Sequence, residues 1–215
     1  LVIGETFLDE NISGSAERLS PEAPVPVFNN GKSSFHLGGA ANVAKNLANL
    51  ELEVSLLTVL GNDNYSLKTK SLINFYGIRL LDNELSIKET MRKIRFIVNQ
   101  QQLFRYDIEN KISSDIAEYI SLKIYDICFE YDLIIISDYN KGLLDKLNSK
   151  KLKSIFKKPL LIDSKSCKED LISNASILKP NLSELKTICS LYGINEVNKE
   201  DQLIKIIKRF NIDSI

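Results

Sequence analysis

Residues 132–138 read DLIIISD, four consecutive apolar or β-branched residues with no polar residue alternating among them. A strand with one wet face alternates in polarity. A strand without alternation must be covered on both faces, as in the interior of a parallel sheet. LVIG (1–4) and PLLID (159–163) read the same way, while EVSLLTVLG (53–61), ended by glycine, and the shorter SILKPN (176–181) read as further strands. Between these runs the period becomes helical. Ala40, Val43, Ala44, Leu47 and Ala48 recur at i, i+3, i+4, i+7 and i+8. Further helices are expected at 65–77, about 114–130, 143–156, about 183–191 and 199–210. Strands alternating with helices predict an α/β fold: a three-layer, Rossmann-like, mostly parallel sheet with helices on both sides.

Two segments do not fit that plan. RLSPEAPVPVF (18–28) places Pro21, Pro24 and Pro26 within six positions, which excludes a helix interior or a central strand. Yet Val25, Val27 and Phe28 are strand formers that call for burial. MRKIRFIVNQQQLFRYDIE (91–109) reads as a hairpin with one apolar and one polar face. The economical expectation is that ribbon and hairpin pair as a small second sheet off the main body.

Composition narrows the function classes. The 215 residues are 44% hydrophobic and 26% charged, enough apolar content for a core, and the formal net charge is zero. No global field draws nucleic acid or an anionic membrane to such a chain. No apolar run approaches the roughly 20 residues of a membrane helix. Cys128, Cys167 and Cys189 are odd in number and far apart, which reads as reduced thiols in a cytoplasmic protein. His36 is the single histidine and reads as structural. No GxxxxGK[ST] loop, no GxGxxG after the first strand and no GxSxG elbow is present.

In open α/β sheets ligands sit at the carboxyl ends of the strands. There this sequence delivers Glu5 and Asp9; Asp138, Tyr139, Asn140 and Lys141; Asp163, Ser164 and Lys165; and Asn181 with Glu184. Any one could be a turn former; four together suggest one binding rim. Gly38 and Gly39 precede a helix and read either as a tight turn or as room for a ligand at a helix N-terminus. Asn42, on the first turn, is either solvated or turned to the same ligand.

GETFLDEN (4–11), RLSPEAPVPVF, LGGAANVAKNLANL (37–50), NQQQLFRYD (99–107), SDYNKG (137–142), LIDSK (161–165) and KPNLSE (179–184) together resemble the ribokinase-like (PfkB) carbohydrate kinases, in order along nearly the whole chain. Within that family the proline ribbon, QQLFRYD and SDYNKG are most similar to the heptose 7-phosphate kinases. The resemblance implies a ribokinase-like domain over 1–215 with β-lid segments at about 11–35 and 80–109. It implies ATP and Mg²⁺ as cofactors, and phosphorylation of the anomeric hydroxyl of D-glycero-β-D-manno-heptose 7-phosphate for ADP-heptose and lipopolysaccharide core synthesis. Asp9, Gly38, Gly39 and Asn42 would hold the sugar, and Asp138 and Lys141 would sit near it. Arg18 and Arg105 would grip a substrate phosphate. Asp163 and Lys165 would lie on the nucleotide side, and Asn181 and Glu184 would organise Mg²⁺ through water. The lid would pair with that of a second subunit in a homodimer. A kinase of another sugar, such as ribose or fructose, and a non-catalytic sugar-binding or dimerisation relic are the rival readings.

The sequence departs from the family pattern in three places. Glu5 stands where relatives usually have Asp, and DSK at 163–165 replaces DPK, so a less rigid loop is expected. No GAGD-type motif, which would carry the general base, is found. Both ends read as cut, so the expectation is a fragment with its base beyond Ile215 and negligible phosphotransfer.

Overall fold

Ile3, Leu56, Leu57, Ile134, Ile136 and Leu160 are wholly covered from solvent, as unalternated strands require. They belong to the computed structural model of this chain, which describes residues 1–81 and 85–215. Elements follow in the order β1 (Val2–Gly4), β2 (Thr6–Ser15), β3 (Asn29–Gly39), α1 (Ala40–Ala48), β4 (Ser55–Leu57), α2 (Asn64–Phe75), β5 (Arg79–Leu80), β6 (Arg92–Val98) and β7 (Gln101–Ile108). They continue with α3 (Ser114–Ile127), β8 (Ile134–Asp138), α4 (Ser149–Ile155), β9 (Leu160–Ser164), α5 (Glu169–Ile172), β10 (Ile177–Leu178), α6 (Leu182–Leu191) and α7 (Lys199–Phe210).

Among the described residues six strands form a sheet in the order β10-β9-β8-β1-β4-β5, paired in parallel throughout. From β1 the chain moves one way to β4 and β5, and later the other way to β8, β9 and β10. The order reverses between β1 and β8, so the carboxyl ends of those two strands flank the crevice where ligands enter such sheets. Gly4 makes this pairing possible: a Cβ there would stand 1.9 Å from the Ser137 carbonyl oxygen.

The second sheet runs β3-β2-β6-β7. It is built from the flanks of the proline ribbon and not, as the sequence reading had it, from the ribbon. Residues 18–28 form the connection at its tip, with one bridge between Leu19 and Pro26. Val25 is 52% exposed, which corrects the expectation that both valines need burial. Phe28 is anchored edge-on to Phe96 at 5.3 Å, and Val27 is half-buried. The lid segment expected at 80–109 includes residues 82–84, which lie outside the described residues.

Only Glu5 separates β1 from β2, so the second sheet grows directly from the switch-point strand. Its register sorts the side chains into two faces. On one face Asp9 lies beside His36 and Lys93, Asn11 beside Ser34 and Arg95, and Arg95 beside Arg105. On the other lie Leu8, Ile12, Ile94, Phe96 and Phe104, with Phe96 stacked on Phe104 at 4.3 Å. The root rests on α2, where Lys68 lies over the Phe35 ring and Arg92 over the Tyr65 ring.

Helix starts follow side-chain caps: Asp63 for α2, Ser113 for α3, Asn148 for α4, Asn181 for α6 and Asn198 for α7. The helix expected over 143–156 begins only at Ser149, because the Asn148 cap sets its start and the Leu143 N–H is drawn to Glu5. Asp63 also accepts both the Thr90 N–H (2.8 Å) and hydroxyl (2.7 Å). Burial pushes its carboxyl up, but the bonds from Thr90 and Ser66 outweigh it and hold the group below the usual range. Its stabilisation is therefore present above the ordinary carboxylate pKa and lost as pH falls through the lower folded value. Asp63→Ala is expected to cost about 2 kcal/mol at pH 7 and less at pH 3, read from urea midpoints.

Candidate active site at the sheet switch point

Glu5 is fully buried, and its partners are backbone amides of the loop after β8. Its carboxylate accepts from Tyr139 (2.8 Å), Lys141 (3.1 Å) and Leu143 (3.2 Å). Burial pushes its carboxyl above the usual range and nearby Asp138 adds to the rise, against the pull of the amide bonds. Asp138, 5% exposed, does the same for the next strand ends. One of its oxygens accepts the Asn140 N–H (2.8 Å), the other the Ser164 hydroxyl (2.6 Å) and the Ser166 N–H (3.1 Å). Both oxygens thus accept from protein donors, and Asp138 ties the loops after β8 and β9 together at the rim. The loop at 163–165, expected to be less rigid, is tied down by the Ser164 hydroxyl, which also accepts the Cys167 N–H at 3.1 Å.

Asp9 projects from the root of β2 over Gly38 and is paired with Arg95 Nη1 at 3.0 Å. Gly39 starts α1 with φ 61°, where a Cβ would meet the Glu5 carbonyl oxygen at 2.3 Å. No side chain caps α1, so beyond the Ala40 N–H, which bonds the Glu5 carbonyl, its first-turn amides are left for another acceptor. Asn42 is half-buried on that turn.

Tyr139 stands at the centre. Its ring meets the buried Phe7 edge-on at 5.2 Å, and the Lys165 ammonium lies 4.1 Å above it. Burial, and the carboxylates of Asp163, Asp9 and Glu5, push its phenol up. Asp9 and Asp163, the expected sugar-side and nucleotide-side carboxylates, therefore both act on one ring.

A chain of ion pairs joins the second sheet to the rim. Arg105 Nε meets Asp107 at 2.8 Å, Lys93 lies 3.4 Å from Asp107 and 3.7 Å from Glu109, and Glu109 holds the Lys141 ammonium at 2.6 Å. A cavity of about 510 Å³ opens beside this chain, lined by Glu109, Lys141 and Lys168 among others. A larger one, about 590 Å³, lies at the opposite, amino-terminal ends of the strands, where none of the candidate residues sits.

Asn181 and Glu184 form a reciprocal capping box on α6. The Asn181 side chain accepts from the Glu184 N–H (2.9 Å), and Glu184 Oε2 from the Asn181 N–H (2.8 Å). The box leaves Oε1 of Glu184 for another donor. No three His, Cys, Asp or Glu side chains among the described residues gather as a metal cluster. Beside α6, the Cys167 thiol is pushed up to about 11 by burial and by the Glu184 and Asp138 carboxylates.

The structure thus brings Asp9, Gly38, Gly39, Asn42, Lys141, Asp163 and Lys165 to the carboxyl ends of the strands, with Arg105 on the polar face above. Arg18 is elsewhere: it is exposed beyond the Ser15–Asn29 pair, and six residues of strand, about 20 Å, separate Ser15 from Asp9. Three features escaped the sequence reading: the Glu5 clamp, the Arg95–Asp9 pair and the central place of Tyr139.

The profile of the pfkB family carbohydrate kinases matches residues 1–212. The bifunctional protein HldE of Hydrogenovibrio crunogenus is 34% identical over the whole chain, which covers 45% of that protein. The D-beta-D-heptose 7-phosphate kinase of Bordetella bronchiseptica is 32% identical over 99% of the chain, covering 67% of that protein. The chain thus spans about half the length of the bifunctional relatives it matches. Among solved structures, a ribokinase from Thermotoga maritima superposes with a TM-score of 0.69 at 17% identity, over 97% of this chain and 68% of that one. Phosphofructokinase-2 from Escherichia coli, in complex with fructose-6-phosphate, superposes at 0.68 and 17%, over 98% and 71%. Fold, switch-point rim and a family match spanning nearly every residue agree, and the chain belongs to the pfkB family of carbohydrate kinases.

Proposed function

We propose that this chain forms the sugar-binding side and part of the phosphate-binding side of an ATP-dependent kinase acting on the anomeric hydroxyl of D-glycero-β-D-manno-heptose 7-phosphate. Its 1,7-bisphosphate product would serve ADP-heptose and lipopolysaccharide core synthesis. The observation that carries the reading is the row of cations Lys93, Arg95 and Arg105 on the same face of the second sheet as Asp9. A carboxylate reads sugar hydroxyls, and neighbouring cations read a phosphate on the same sugar. A neutral sugar such as ribose gives that row nothing to hold. The heptose 7-phosphate kinase among the relatives points to the same substrate class.

In this reading Asp9, Gly38, Gly39 and Asn42 hold the sugar, and the uncapped first turn of α1 offers amides to its oxygens. Arg105 and Lys141 take its phosphate, which competes with Asp107 and Glu109 for them. Arg18 would reach a phosphate only by movement of the ribbon or from a neighbouring subunit. Asp163 and Lys165 face the nucleotide. Mg²⁺, when bound with ATP, neutralises charge on the phosphates during transfer. The residues fit it as a mostly hydrated ion: Glu184 has one oxygen left to receive a metal-bound water, with Asn181 fixing its orientation, and Mg²⁺ ordinarily keeps several waters. The apolar face of the second sheet, where Phe104 is 52% and Tyr106 58% exposed, is covered by a second copy in a homodimer.

Calorimetric titration of the chain with heptose 7-phosphate, fructose and ribose tests the substrate. Binding of heptose 7-phosphate at least tenfold tighter than either neutral sugar is expected. Equal affinities, or none for the heptose phosphate, would overturn the assignment. Light scattering is expected to give twice the chain mass, and Phe104→Asp to give monomers.

A further inference from the structure

We propose that Tyr139 is a positioning residue: the face of its ring holds the Lys165 ammonium at the carboxyl rim, where that ammonium meets the phosphates of the nucleotide. The inference rests on the kinase reading above, since the nucleotide gives Lys165 its partner.

Lys165 is exposed on a long flexible stem, and its backbone is fixed by a bond from its N–H to the Asp138 carbonyl at 3.0 Å. Its ammonium makes no ion pair among the described residues; its contact is the Tyr139 ring at 4.1 Å. The neighbouring rim lysine is handled differently, since Glu109 grips Lys141 at 2.6 Å and a phosphate has to compete with that carboxylate for it. An aromatic face restrains a cation through its quadrupole without neutralising it or accepting its proton. Lys165 is thereby ordered with its charge still available to a phosphate.

The ring is itself fixed. Glu5 holds the Tyr139 N–H at 2.8 Å, and Phe7, wholly buried, meets the ring edge-on. Glu5 thus sets the ring, and the ring sets Lys165. The Asp163, Asp9 and Glu5 carboxylates that push the phenol up also favour a cation at the ring.

The experiment follows the lysine ε-CH₂ resonances of the labelled chain by NMR, with Lys165 assigned by loss of its signal in Lys165→Met. The wild type and Tyr139→Phe are expected to share an upfield ring-current shift that Tyr139→Leu abolishes. On titration with MgATP, Tyr139→Leu is expected to weaken binding about 3- to 30-fold, the range a cation–π contact supports. Tyr139→Phe should remain within about twofold of wild type on the same ground, and Tyr139→Leu should add nothing in a Lys165→Met background. If Tyr139→Leu melts early, a pentafluorophenyl side chain at position 139 replaces it, keeping the ring's shape while reversing its quadrupole, and the same weakening is expected. Absence of the ring-current shift in the wild type, equal losses in Tyr139→Phe and Tyr139→Leu, or an undiminished loss in the Lys165→Met background overturns the inference alone. A normal ring-current shift with no response to MgATP overturns the kinase reading and the inference with it.

Discussion

Glu5→Ala is expected to lower the unfolding free energy by more than about 3 kcal/mol, since each buried donor left unpaired costs about 1–3 kcal/mol and three lose their acceptor. The donors are the amides of Tyr139, Lys141 and Leu143, and the lost side chain also leaves a void between β1 and the loop after β8. Glu5→Gln is a milder test. One amide oxygen can still serve Lys141 and Leu143, but the new NH₂ then faces the Tyr139 N–H, donor against donor. Glu5→Asp keeps the charge and shortens the reach by one methylene. The expected order of stability in urea is wild type, Asp, Gln, Ala. A loss below about 1 kcal/mol for alanine, less than one orphaned donor should cost, would show that the clamp does not hold the loop.

Glu5 also predicts a pH dependence of definite sign. Its folded pKa is raised, by burial first and by Asp138 next. The unfolded chain releases the Glu5 proton near the ordinary carboxylate value, whereas the folded chain retains it to higher pH. The folded state binds more protons in that window, so this group's contribution is complete below the ordinary pKa and is lost as pH rises through the folded one. Asp63, held below its usual value, contributes the opposite slope on the acid side. In Glu5→Gln the first slope disappears and the second remains, so the wild type's advantage over this variant shrinks as pH rises from about 4.5 toward neutrality.

The parallel sheet was legible because DLIIIS and its counterparts lack alternation, and a strand buried on both faces leaves that mark in local sequence. The second sheet was legible only in its hairpin half. TFLDENISGS carries Asp, Glu, Asn and Gly, all depleted in strands, and NNGKSSFHLGG reads as a loop. Their strand geometry comes from pairing with each other and with β6, a tertiary effect that outweighs intrinsic preference. Sequence reading therefore gave the ribbon, with its valines, a sheet role that belongs to its flanks. The rim was legible as a set of strand-end polar residues, but the direction of each side chain was not. Glu5 and Asp138 read equally well as ligand groups. Whether such a carboxylate points at a ligand or at a neighbouring loop depends on β1 lying beside β8, more than 130 residues away in the chain. Arg95 was visible on the polar side of its hairpin, but its partner Asp9 lies 86 positions earlier. No local pattern encodes either neighbour.

Gly38→Ala is expected to weaken heptose 7-phosphate binding about 10- to 100-fold, the loss expected when a charged hydrogen-bonding group is displaced, while leaving stability nearly unchanged. A Cβ at Gly38 would sit 2.7 Å from Asp9 Oδ2 and 3.1 Å from its Cγ. The backbone there is not in the left-handed region, so alanine fits the chain itself; the sharpest collision is with the tip of the Asp9 side chain, and the Phe7 Cβ at 3.3 Å has to give only by a few tenths of an ångström. That tip is held by Arg95, so it yields only by breaking the pair at 3.0 Å. The ion pair is partly exposed and contributes at most about 1 kcal/mol to folding, so the loss falls mainly on whatever Asp9 binds. Gly39→Ala is the contrasting variant. Its Cβ would strike the Glu5 carbonyl oxygen at 2.3 Å with φ at 61°, and it is expected to destabilise the fold. Asp9→Ala should match Gly38→Ala in affinity, and the double variant should be no worse than either alone. Calorimetry on the four chains, paired with thermal melts, decides the matter. Gly38→Ala binding as tightly as wild type would remove Asp9 from the sugar site, and additive losses would show that glycine and carboxylate act on the ligand separately.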